Sequence, residues 1–507
     1  REWGKAELHL DAQHPLFKGL DDVEQVFMSH YDSVISVGPD FEEIGHSITG
    51  LASEHRYAAI GSDKLRRYGF QFHPEVDDTT HGDDMIANFV FEICKCEVSW
   101  SMDGFLDEEI ERVRAHVGDG SVFLLASGGV DSTVAAVLLG QALGPEKLHL
   151  LHIDNGLMRL HESAGVLRMF TEIGLDQNLH FVDASDTFLA ALADAIEPEA
   201  KRRIIGDSFV KVFQHEAERL GIEHHLLGQG TIYPDTIETG GTKRAQTIKT
   251  HHNRVPIIEE MIQAGKVVEP LADLYKVEVR ELGERMGIEH QALWRHPFPG
   301  PGLGVRLLCS DGTQDTEGFE DLIPQTEAIA ESYGLQACLL PIRSVGVKAD
   351  VRAYEHPVLL SGDVPWDTLI AAVSSLTAKV PGINRCVWNV DEGHPNQARA
   401  VEGRVTRARL DILREADAIV MDALRDHGVY NDVWQCPTVL APLALGDSDG
   451  ETIILRPVHS ARAMTATPVQ LPTDLLREVC AAILDLDGIS GLALDVTSKP
   501  PGTIEWE

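Results

Sequence analysis

Positive charge is scarce in this sequence. Its 507 residues include 43 Lys and Arg against 80 Asp and Glu, which gives a formal net charge of -37. Repulsion from phosphate groups argues against a nucleic acid or an anionic membrane as a partner. A site for a small anionic ligand would have to gather its basic side chains locally. The acidic balance fits either a salt-adapted surface or an ordinary acidic cytoplasmic protein.

Cysteine and long hydrophobic runs are scarce as well. The seven cysteines are scattered, and Cys94 and Cys96 have no second ligand pair nearby, which argues against a zinc site. No apolar run approaches the length of a membrane span, and no signal peptide is visible. We therefore expect a cytoplasmic location. Because the chain begins with Arg1 inside an apparent domain, we also expect that its N-terminal part is missing.

The pattern that points most directly to a function lies in residues 121–140. Residues 122–126 predict a buried strand, and an apolar helix begins near Val134. The turn between them consists of Ser127, Gly128, Gly129, Val130, Asp131, Ser132 and Thr133. A glycine turn at a helix N-terminus presents backbone N–H groups at the positive end of the helix dipole, where a phosphate binds. The alternative is a plain strand–turn–helix joint.

Asp131 distinguishes this turn from a Walker A loop. No Gly-Lys-Ser or Gly-Lys-Thr follows the glycines, so no loop lysine would hold terminal phosphates. A carboxylate at this place suits Mg²⁺ bound to phosphate oxygens. The turn resembles the pyrophosphate loop of N-type ATP pyrophosphatases, which cleave ATP into AMP and PPi to adenylylate an oxygen.

Length and element pattern predict an α/β protein of three or four domains. Residues 1–97 are typical of the tail of an α/β domain, with strands at 26–30, 57–60 and 68–72 and a helix at 83–94. Residues 98–304 alternate strands and helices, which predicts a doubly wound parallel sheet with ligands at the C-terminal strand ends. Its predicted strands are 121–126, 148–153, 179–182 and 224–228.

The C-terminal part contains an internal repeat. Residues 305–392 and 403–507 each predict a strand, strand, helix and strand, with a polar connector at 391–402. Two small α+β units of this kind pair with each other or across a dimer, so we expect a homodimer or a monomer.

Proline and glycine dominate residues 296–304, which excludes a helix or a central strand there. This segment is either an interdomain linker or a functional loop. The flanking Arg295, His296 and Arg306 favour the functional loop.

His73 and Glu75 are candidate catalytic residues. Two residues apart in an extended segment, they face the same side, so Glu75 can orient His73 as a general base; a structural histidine is the alternative. The longer run GFQFHPEV at 69–76 resembles the end of class I glutamine amidotransferases, whose Cys–His–Glu triad releases ammonia from glutamine. No cysteine precedes residue 73, so we expect this chain to use ammonia rather than glutamine.

Further motifs extend the resemblance over essentially the whole chain. In order after the loop come HIDNG, KRRIIG, GQGTIYPD, KTHHN, RHPFPGPGLGVR and a terminal KPPGTIEWE. Together they resemble the GMP synthetase family, in its longer form with a doubled C-terminal unit. The resemblance implies a truncated class I glutamine amidotransferase remnant, a doubly wound ATP pyrophosphatase domain and two C-terminal α+β units. It also implies adenylylation of XMP by Mg²⁺-bound ATP, followed by amination with ammonia, from glutamine in the intact protein.

The resemblance assigns site residues as follows. The loop at 127–133 would hold the pyrophosphate, with Asp131 on Mg²⁺. The remaining ATP contacts would be Asp154, Asn155, Gly156, Leu157 and Gly228. The XMP contacts would be Arg202, Arg295, His296, Pro297, Asp350, Arg352, Gln435, Lys499 and Glu505.

One position departs from the family pattern, and several related enzymes remain open. Gly491 stands where the family commonly has an arginine, while the first repeat keeps Arg385; Arg352 or Arg462 are candidates to replace the lost contact. NAD synthetase, asparagine synthetase and tRNA thiolases share the loop class. The first two lack the KPPGTIEWE tail, and a tRNA enzyme would need a basic face. A catalytically silent nucleotide-binding subunit is the alternative from another class.

Overall fold

The computed structural model describes residues 2–30, 32–49, 53–76, 78–221, 224–240, 261, 264–348, 351–391, 397–460 and 465–507. It divides into two compact units, Arg1–Ser101 and Met102–Glu507. In the described part of the chain, every helix is too short or too polar to cross a membrane.

The first unit is built on a five-stranded antiparallel sheet in the order β2-β1-β3-β4-β5. The strands are β1 (Glu2–Leu10), β2 (Val23–His30), β3 (Glu42–Thr49), β4 (Ser53–Ser62) and β5 (Arg67–Phe70). A 3₁₀ turn (Pro15–Phe17), helix α1 (Gly82–Ala87) and a π-helical stretch (Asn88–Ile93) accompany the sheet. The sequence predicted β2, β4, β5 and the helix, but it missed β1 and β3.

The second unit begins with a parallel sheet in the order β10-β9-β6-β7-β8, and all four pairings are parallel. Its strands are β6 (Val122–Leu125), β7 (Leu148–Asp154), β8 (Leu179–Asp183), β9 (Leu226–Gly228) and β10 (Val267–Val268). The four predicted strands are confirmed. The chain runs outward from β6 through β7 to β8 and then returns to the other side of β6, which creates a switch point at the end of β6.

Helices connect these strands. They are α2 (Met102–Val117), α3 (Val130–Leu143), α4 (Glu162–Glu172), α5 (Ser185–Leu192), α6 (Pro198–Leu220), α7 (Tyr233–Gly240), α8 (Lys276–Arg285) and α9 (His290–Leu293). Short 3₁₀ turns occur at Pro145–Lys147 and Gly302–Val305. Helix α3 has nine buried residues, because apolar side chains surround it where it packs against the sheet and against α2 and α8.

A second sheet follows, in the order β12-β14-β15-β23-β20-β18, with β13 paired to β14. Its strands are β12 (Gln336–Leu339), β13 (Ser344–Lys348), β14 (Val351–Ser361), β15 (Ile383–Asn389), β18 (Thr438–Ala441), β20 (Glu451–Leu455) and β23 (Ile489–Asp495). Its helices are α10 (Phe319–Ser332), α11 (Trp366–Lys379), α12 (Arg407–Asp426) and α13 (Thr473–Leu484). The remaining strands form two-stranded pairs: β11 (Ser310–Asp311) with β17 (Glu402–Gly403), β16 (Ala398–Ala400) with β19 (Leu443–Leu445), and β21 (Val458–His459) with β22 (Thr467–Pro468).

The two predicted C-terminal repeats contribute matching strands to this one sheet. In each repeat the last strand pairs in parallel with the strand before its helix, β15 with β14 and β23 with β20. The outer strands, β12 and β18, are antiparallel to their neighbours. At the centre, β15 and β23 run antiparallel, with Trp388 opposite Leu494.

One hydrophobic core extends through both sheets of the second unit. Phe123 and Leu157 of the first sheet region share it with Leu303, Leu307 and the C-terminal helices. The segment between the sheets is therefore packed against both, and the predicted boundary at residue 304 falls inside a common core.

Candidate functional site

The predicted phosphate loop lies at the C-terminal end of β6, where the sheet has its switch point. The Ser132 hydroxyl donates to the Gly129 carbonyl at 3.0 Å, and the Ser127 hydroxyl accepts from the Gly129 N–H at 3.3 Å. Gly128 has φ of +76°, and a Cβ there would lie 2.3 Å from Val166 Cγ2. The loop is therefore held in a left-handed turn that only glycine accommodates.

Asp131 is the charged group of the loop, and Lys276 is its partner. Lys276 Nζ lies 2.6 Å from Oδ1 and 2.7 Å from Oδ2 of Asp131. Lys276 is the first residue of α8, where the helix dipole disfavours a cation, so the Asp131 carboxylate offsets that repulsion. Arg280, one turn further along α8, lines the same cavity as Asp131. Burial lowers the pKa of Arg280, and Asp131 opposes that shift.

The loop carboxylate fits a metal ion that arrives with a nucleotide. Among the described residues, no group of three or more His, Cys, Asp or Glu side chains could enclose a metal. Mg²⁺ commonly uses one or two carboxylates together with phosphate oxygens and water. Asp131 alone therefore suits Mg²⁺ bound mainly by phosphates.

The end of β7 forms a second turn beside the loop. Asp154 accepts from the Gly156 N–H at 2.8 Å and from the Ser163 hydroxyl at 2.8 Å. Asn155 Oδ1 accepts from the Leu157 N–H at 2.9 Å. The side chains of Asp154 and Asn155, both predicted ATP contacts, therefore stabilise this turn, and Leu157 is buried beneath it.

Residues 296–304 cover the ends of β6 and β7. The Leu303 N–H donates to the Leu157 carbonyl at 2.7 Å, and a Cβ on Gly302 would lie 2.3 Å from that same oxygen. Just before the segment, Arg295 donates to the Gly128 carbonyl at 2.8 Å. The proline- and glycine-rich segment is therefore packed onto the phosphate loop and the second turn.

A cavity of about 290 Å³ lies between the phosphate loop and this segment. Seven of the predicted site residues line it: Ser127, Gly129, Val130, Asp131, Arg295, His296 and Pro297. Three cationic side chains, Lys276, Arg280 and Arg295, line it against two carboxylates, Asp131 and Glu162, so its charged lining is net positive in a chain that is strongly negative overall.

The C-terminal tail is bound to the same segment. Arg306, which is fully buried, donates to both Glu505 oxygens at 2.9 and 3.1 Å. Gln435 Nε2 lies 3.2 Å from Glu505 Oε1 and 3.0 Å from the Pro297 carbonyl oxygen. Although burial opposes it, Glu505 raises the pKa of Arg306. Three predicted XMP contacts, Pro297, Gln435 and Glu505, are therefore adjacent.

Arg202 and Arg352 form a second group of predicted XMP contacts. Both lie near the Glu199 carboxylate, and Arg202 also donates to the main-chain oxygen of Glu507. The backbone of Lys499 pairs with that of Ala466. Asp350 lies outside the described residues.

Two predicted ATP contacts lie in packed positions. Thr133 is buried within α3. Gly228 is the last residue of β9, and a Cβ there would meet Val122 Cγ1 at 3.0 Å. Gly230, two residues further, is closer to the loop, because a Cβ there would lie 3.0 Å from the Asp131 carbonyl carbon.

The departure at Gly491 has a structural counterpart. A Cβ at Gly491 would lie 2.9 Å from Leu445 Cδ1, so that side of the strand is filled. Arg385 of the other repeat donates to the Thr503 carbonyl at 3.1 Å and to the Thr503 hydroxyl at 3.0 Å. Arg352 is paired with Glu199, and Arg462 lies outside the described residues.

In the first unit, His73 and Glu75 are paired as expected. His73 Nδ1 lies 2.8 Å from Glu75 Oε1, directly after β5, and both side chains are exposed. The Thr79 hydroxyl donates to the His73 carbonyl at 2.6 Å and fixes the turn that follows.

Sequence reasoning missed three charged residues of the cavity: Lys276, Arg280 and Glu162. Glu162, the first residue of α4, forms an ion pair with Arg295. A lysine at a helix start was the available signal for Lys276, because the dipole makes that position unfavourable without a compensating anion.

Comparison with known proteins gives matches at both ends of the chain. Residues 2–93 match the model of the class I glutamine amidotransferases, and residues 422–506 match that of the GMP synthase C-terminal domain. A solved NH3-dependent NAD synthetase from Campylobacter jejuni is 15% identical and covers 46% of this chain and 88% of its own, with a TM-score of 0.29. That score is too low to support an argument about the fold.

Curated relatives match along the full length. A probable glutamine-hydrolysing GMP synthase from Leptospira interrogans is 39% identical over 519 residues, covering 100% of this chain and 83% of the relative. A glutamine-hydrolysing GMP synthase from Dictyostelium discoideum is 34% identical over 97% of this chain and 76% of its own. This chain therefore belongs to the glutamine-hydrolysing GMP synthase family, whose function is the synthesis of GMP from XMP with nitrogen from glutamine or ammonia.

Proposed function

We propose that this chain makes GMP in two steps at one site: ATP adenylylates XMP, and ammonia then replaces the adenylyl group. Hydrogen bonds that tie residues 295–297 to both the phosphate loop and the tail support this. Arg295 donates to Gly128 of the phosphate loop, and Gln435 joins the nearby Pro297 carbonyl to Glu505 of the tail. A phosphate site directly beside an acceptor site is what group transfer between two bound substrates requires.

In the first step, the xanthine 2-oxygen of XMP attacks the α-phosphorus of ATP, and PPi leaves. The N–H groups at the start of α3 hold the pyrophosphate. Lys276, Arg280 and Arg295 line the cavity and stabilise the negative charge that moves onto PPi. Before ATP binds, Asp131 keeps Lys276 at the cavity through its two contacts.

Mg²⁺ belongs to this step as the ion that accompanies ATP. Bound to the phosphates and to Asp131, it would neutralise part of the charge on the departing pyrophosphate. The Asp131 carboxylate would then exchange its contact with Lys276 for one with the metal, which frees the ammonium group for a phosphate.

The acceptor end of the site is formed by the tail and its partners. Glu505 and Gln435 supply a carboxylate and an amide for the purine, while Arg306 fixes the Glu505 carboxylate. Arg202, Arg352 and Lys499, with Asp350, complete the proposed XMP contacts. Burial of Arg306 makes the Glu505 position rigid, which preorganises the acceptor.

Ammonia is the nitrogen source that we propose for this chain. The His73–Glu75 pair has the geometry of a general base and its orienting carboxylate. A glutaminase triad also needs a cysteine nucleophile, and none precedes His73 in this sequence.

The experiment that tests the function is direct. The purified chain is incubated with XMP, Mg-ATP and a high concentration of ammonium, and GMP and AMP are quantified. We expect equal amounts of both, with AMP formation dependent on XMP. Absence of GMP under these conditions contradicts the proposal.

Asp131→Ala tests the role of the loop. We expect GMP formation to fall by at least about 100-fold, the usual cost of removing one group that stabilises transition-state charge. Asp103→Ala is the matched control, because Asp103 is an exposed carboxylate paired with an arginine of α8. A near-normal rate in Asp131→Ala refutes the metal role of this residue.

A further inference from the structure

His296 carries a hydrogen-bond acceptor for which the described residues provide no donor. Its ring is 4% exposed, and Nε2 lies 2.9 Å from the Tyr430 carbonyl oxygen. A carbonyl oxygen can only accept, so in the neutral ring Nε2 holds the proton and Nδ1 presents a lone pair. Among the described residues, Nδ1 has no hydrogen-bond partner.

The ring is held in this orientation from two sides. Tyr430 stacks on it with ring centroids 4.0 Å apart, and the Tyr430 hydroxyl accepts from the His296 N–H at 3.2 Å. The following Pro297 has its carbonyl bound by Gln435. Side-chain rotation is therefore restricted, and the tautomer is fixed by the Tyr430 carbonyl.

His296 also lines the cavity that holds the phosphate loop. The same 290 Å³ space is bounded by Ser127, Asp131, Lys276 and His296. A buried acceptor without a donor costs free energy unless a ligand satisfies it. Nδ1 itself is buried, and His296 lines this cavity, so a substrate N–H group bound here can satisfy Nδ1 once the cavity wall adjusts around the substrates.

We propose that His296 Nδ1 accepts a hydrogen bond from the incoming ammonia and takes its proton during amination. This rests on the proposed function. The ammonia nitrogen attacks C2 of adenylyl-XMP, and the bond from C2 to the adenylyl oxygen breaks. AMP leaves with the electron pair of that bond, and one proton passes from nitrogen to Nδ1. The imidazolium then returns the proton to water.

The surroundings of the ring suit a base that stays neutral until the reaction. Burial lowers the pKa of His296, while its bond to the Tyr430 backbone acts in the opposite direction. Arg159 and Arg425 face the ring and lower the pKa further, and Asp417 raises it. Together these influences favour the neutral ring, the form in which Nδ1 can accept a proton.

The two steps can be measured separately in the full chain. XMP-dependent exchange of labelled PPi into ATP, without ammonia, reports adenylylation; GMP formation at saturating ammonium reports the whole reaction. In His296→Gln we expect GMP formation to fall by about 100-fold or more, the range for a general base. We expect exchange to fall by less than about 10-fold. His290→Gln, an exposed histidine of the same region, is the matched control.

The pH profile of the unaltered chain adds a second test, which holds even if a variant fails to fold. Plotted against free NH3, the amination rate of the unaltered chain should fall on the acid side at a pH below the ordinary histidine range. His296→Gln and His296→Asn should lack that limb. A profile of the unaltered chain without an acid limb overturns the proposal.

Other outcomes also decide the matter. Unchanged GMP formation in a folded His296→Gln, or an equal loss of exchange and amination, overturns the role in proton transfer. Lack of XMP-dependent exchange in the unaltered chain contradicts the proposed function itself, and is therefore distinguishable from failure of this inference.

Discussion

The two halves of the C-terminal sheet share a strand pattern but differ in charge. When one half is superposed on the other so that Trp388 matches its pairing partner Leu494, Arg385 matches Gly491 and Asn389 matches Asp495. Ser361 matches Arg456 in the same superposition, because β14 pairs with β15 as β20 pairs with β23. One end of the sheet thus holds Arg385, Asp495 and Arg456, whereas the matching end holds Gly491, Asn389 and Ser361.

The charged cluster is what holds the tail. Asp495 contacts Arg385 at 2.6 Å, Arg456 at 2.7 Å and the Trp506 indole N–H at 3.0 Å. The Arg385 guanidinium also lies 4.7 Å from the centroid of the Trp506 ring and bonds Thr503. All three charged side chains are fully buried.

At the matching end, Gly491, Asn389 and Ser361 carry no charge. The comparison teaches that equivalent backbone positions need not keep equivalent chemistry: the buried charges lie at the end of the sheet where the tail uses them.

The largest expected effect is that of Asp495→Asn. It leaves Arg385 and Arg456 buried beside each other without their shared carboxylate, so the free energy of unfolding should fall by about 3–5 kcal/mol. Denaturant unfolding measures this. The matched change, Asn389→Ala, removes only neutral hydrogen bonding, including the bond from Nδ2 to the Asp391 carbonyl oxygen, and should cost less, at about 1 kcal/mol for each such bond. Equal losses in the two variants would contradict the asymmetry.

A smaller effect is expected from Gly491→Arg, which copies Arg385 into the other half. The new Cβ would lie 2.9 Å from Leu445 Cδ1 and 3.1 Å from Thr452 Oγ1. Overpacking should lower the free energy of unfolding by about 1–3 kcal/mol and leave the KM for XMP unimproved. Gly491→Ala separates the cost of the Cβ from that of the guanidinium. A variant with tighter XMP binding would show that the neutral half can still serve the acceptor.

The contrast also shows what the sequence could predict. The apolar runs of β6 and β7 and the glycine turn after β6 are local signals, so these strands and the phosphate loop were predictable. β1 has the alternation of a half-buried strand, with Lys5, Glu7 and His9 between Ala6, Leu8 and Leu10, so a local signal for it was present and was not used. The contact of Arg385 with Asp495 spans 110 residues, and only the pairing of β15 with β23 creates it. Lys276 is likewise brought to Asp131 by the packing of α8 on α3.

Titration of Asp495 should change the free energy of unfolding least near neutral pH. At low pH it distinguishes the charged half of the sheet from the neutral half. Against the desolvation that burial imposes, Arg456 and Arg385 hold the pKa of Asp495 below its ordinary value. A carboxyl with a lowered folded-state pKa stabilises the fold above its unfolded pKa, about 3.9, and loses that contribution as the pH falls through the folded pKa. The contribution of Asp495 to the free energy of unfolding should therefore be constant near pH 7 and decline below about pH 4. In Asp495→Asn the low-pH decline should be shallower, whereas in Asn389→Ala it should match that of the unaltered chain, because the neutral half has no carboxyl at the matching position.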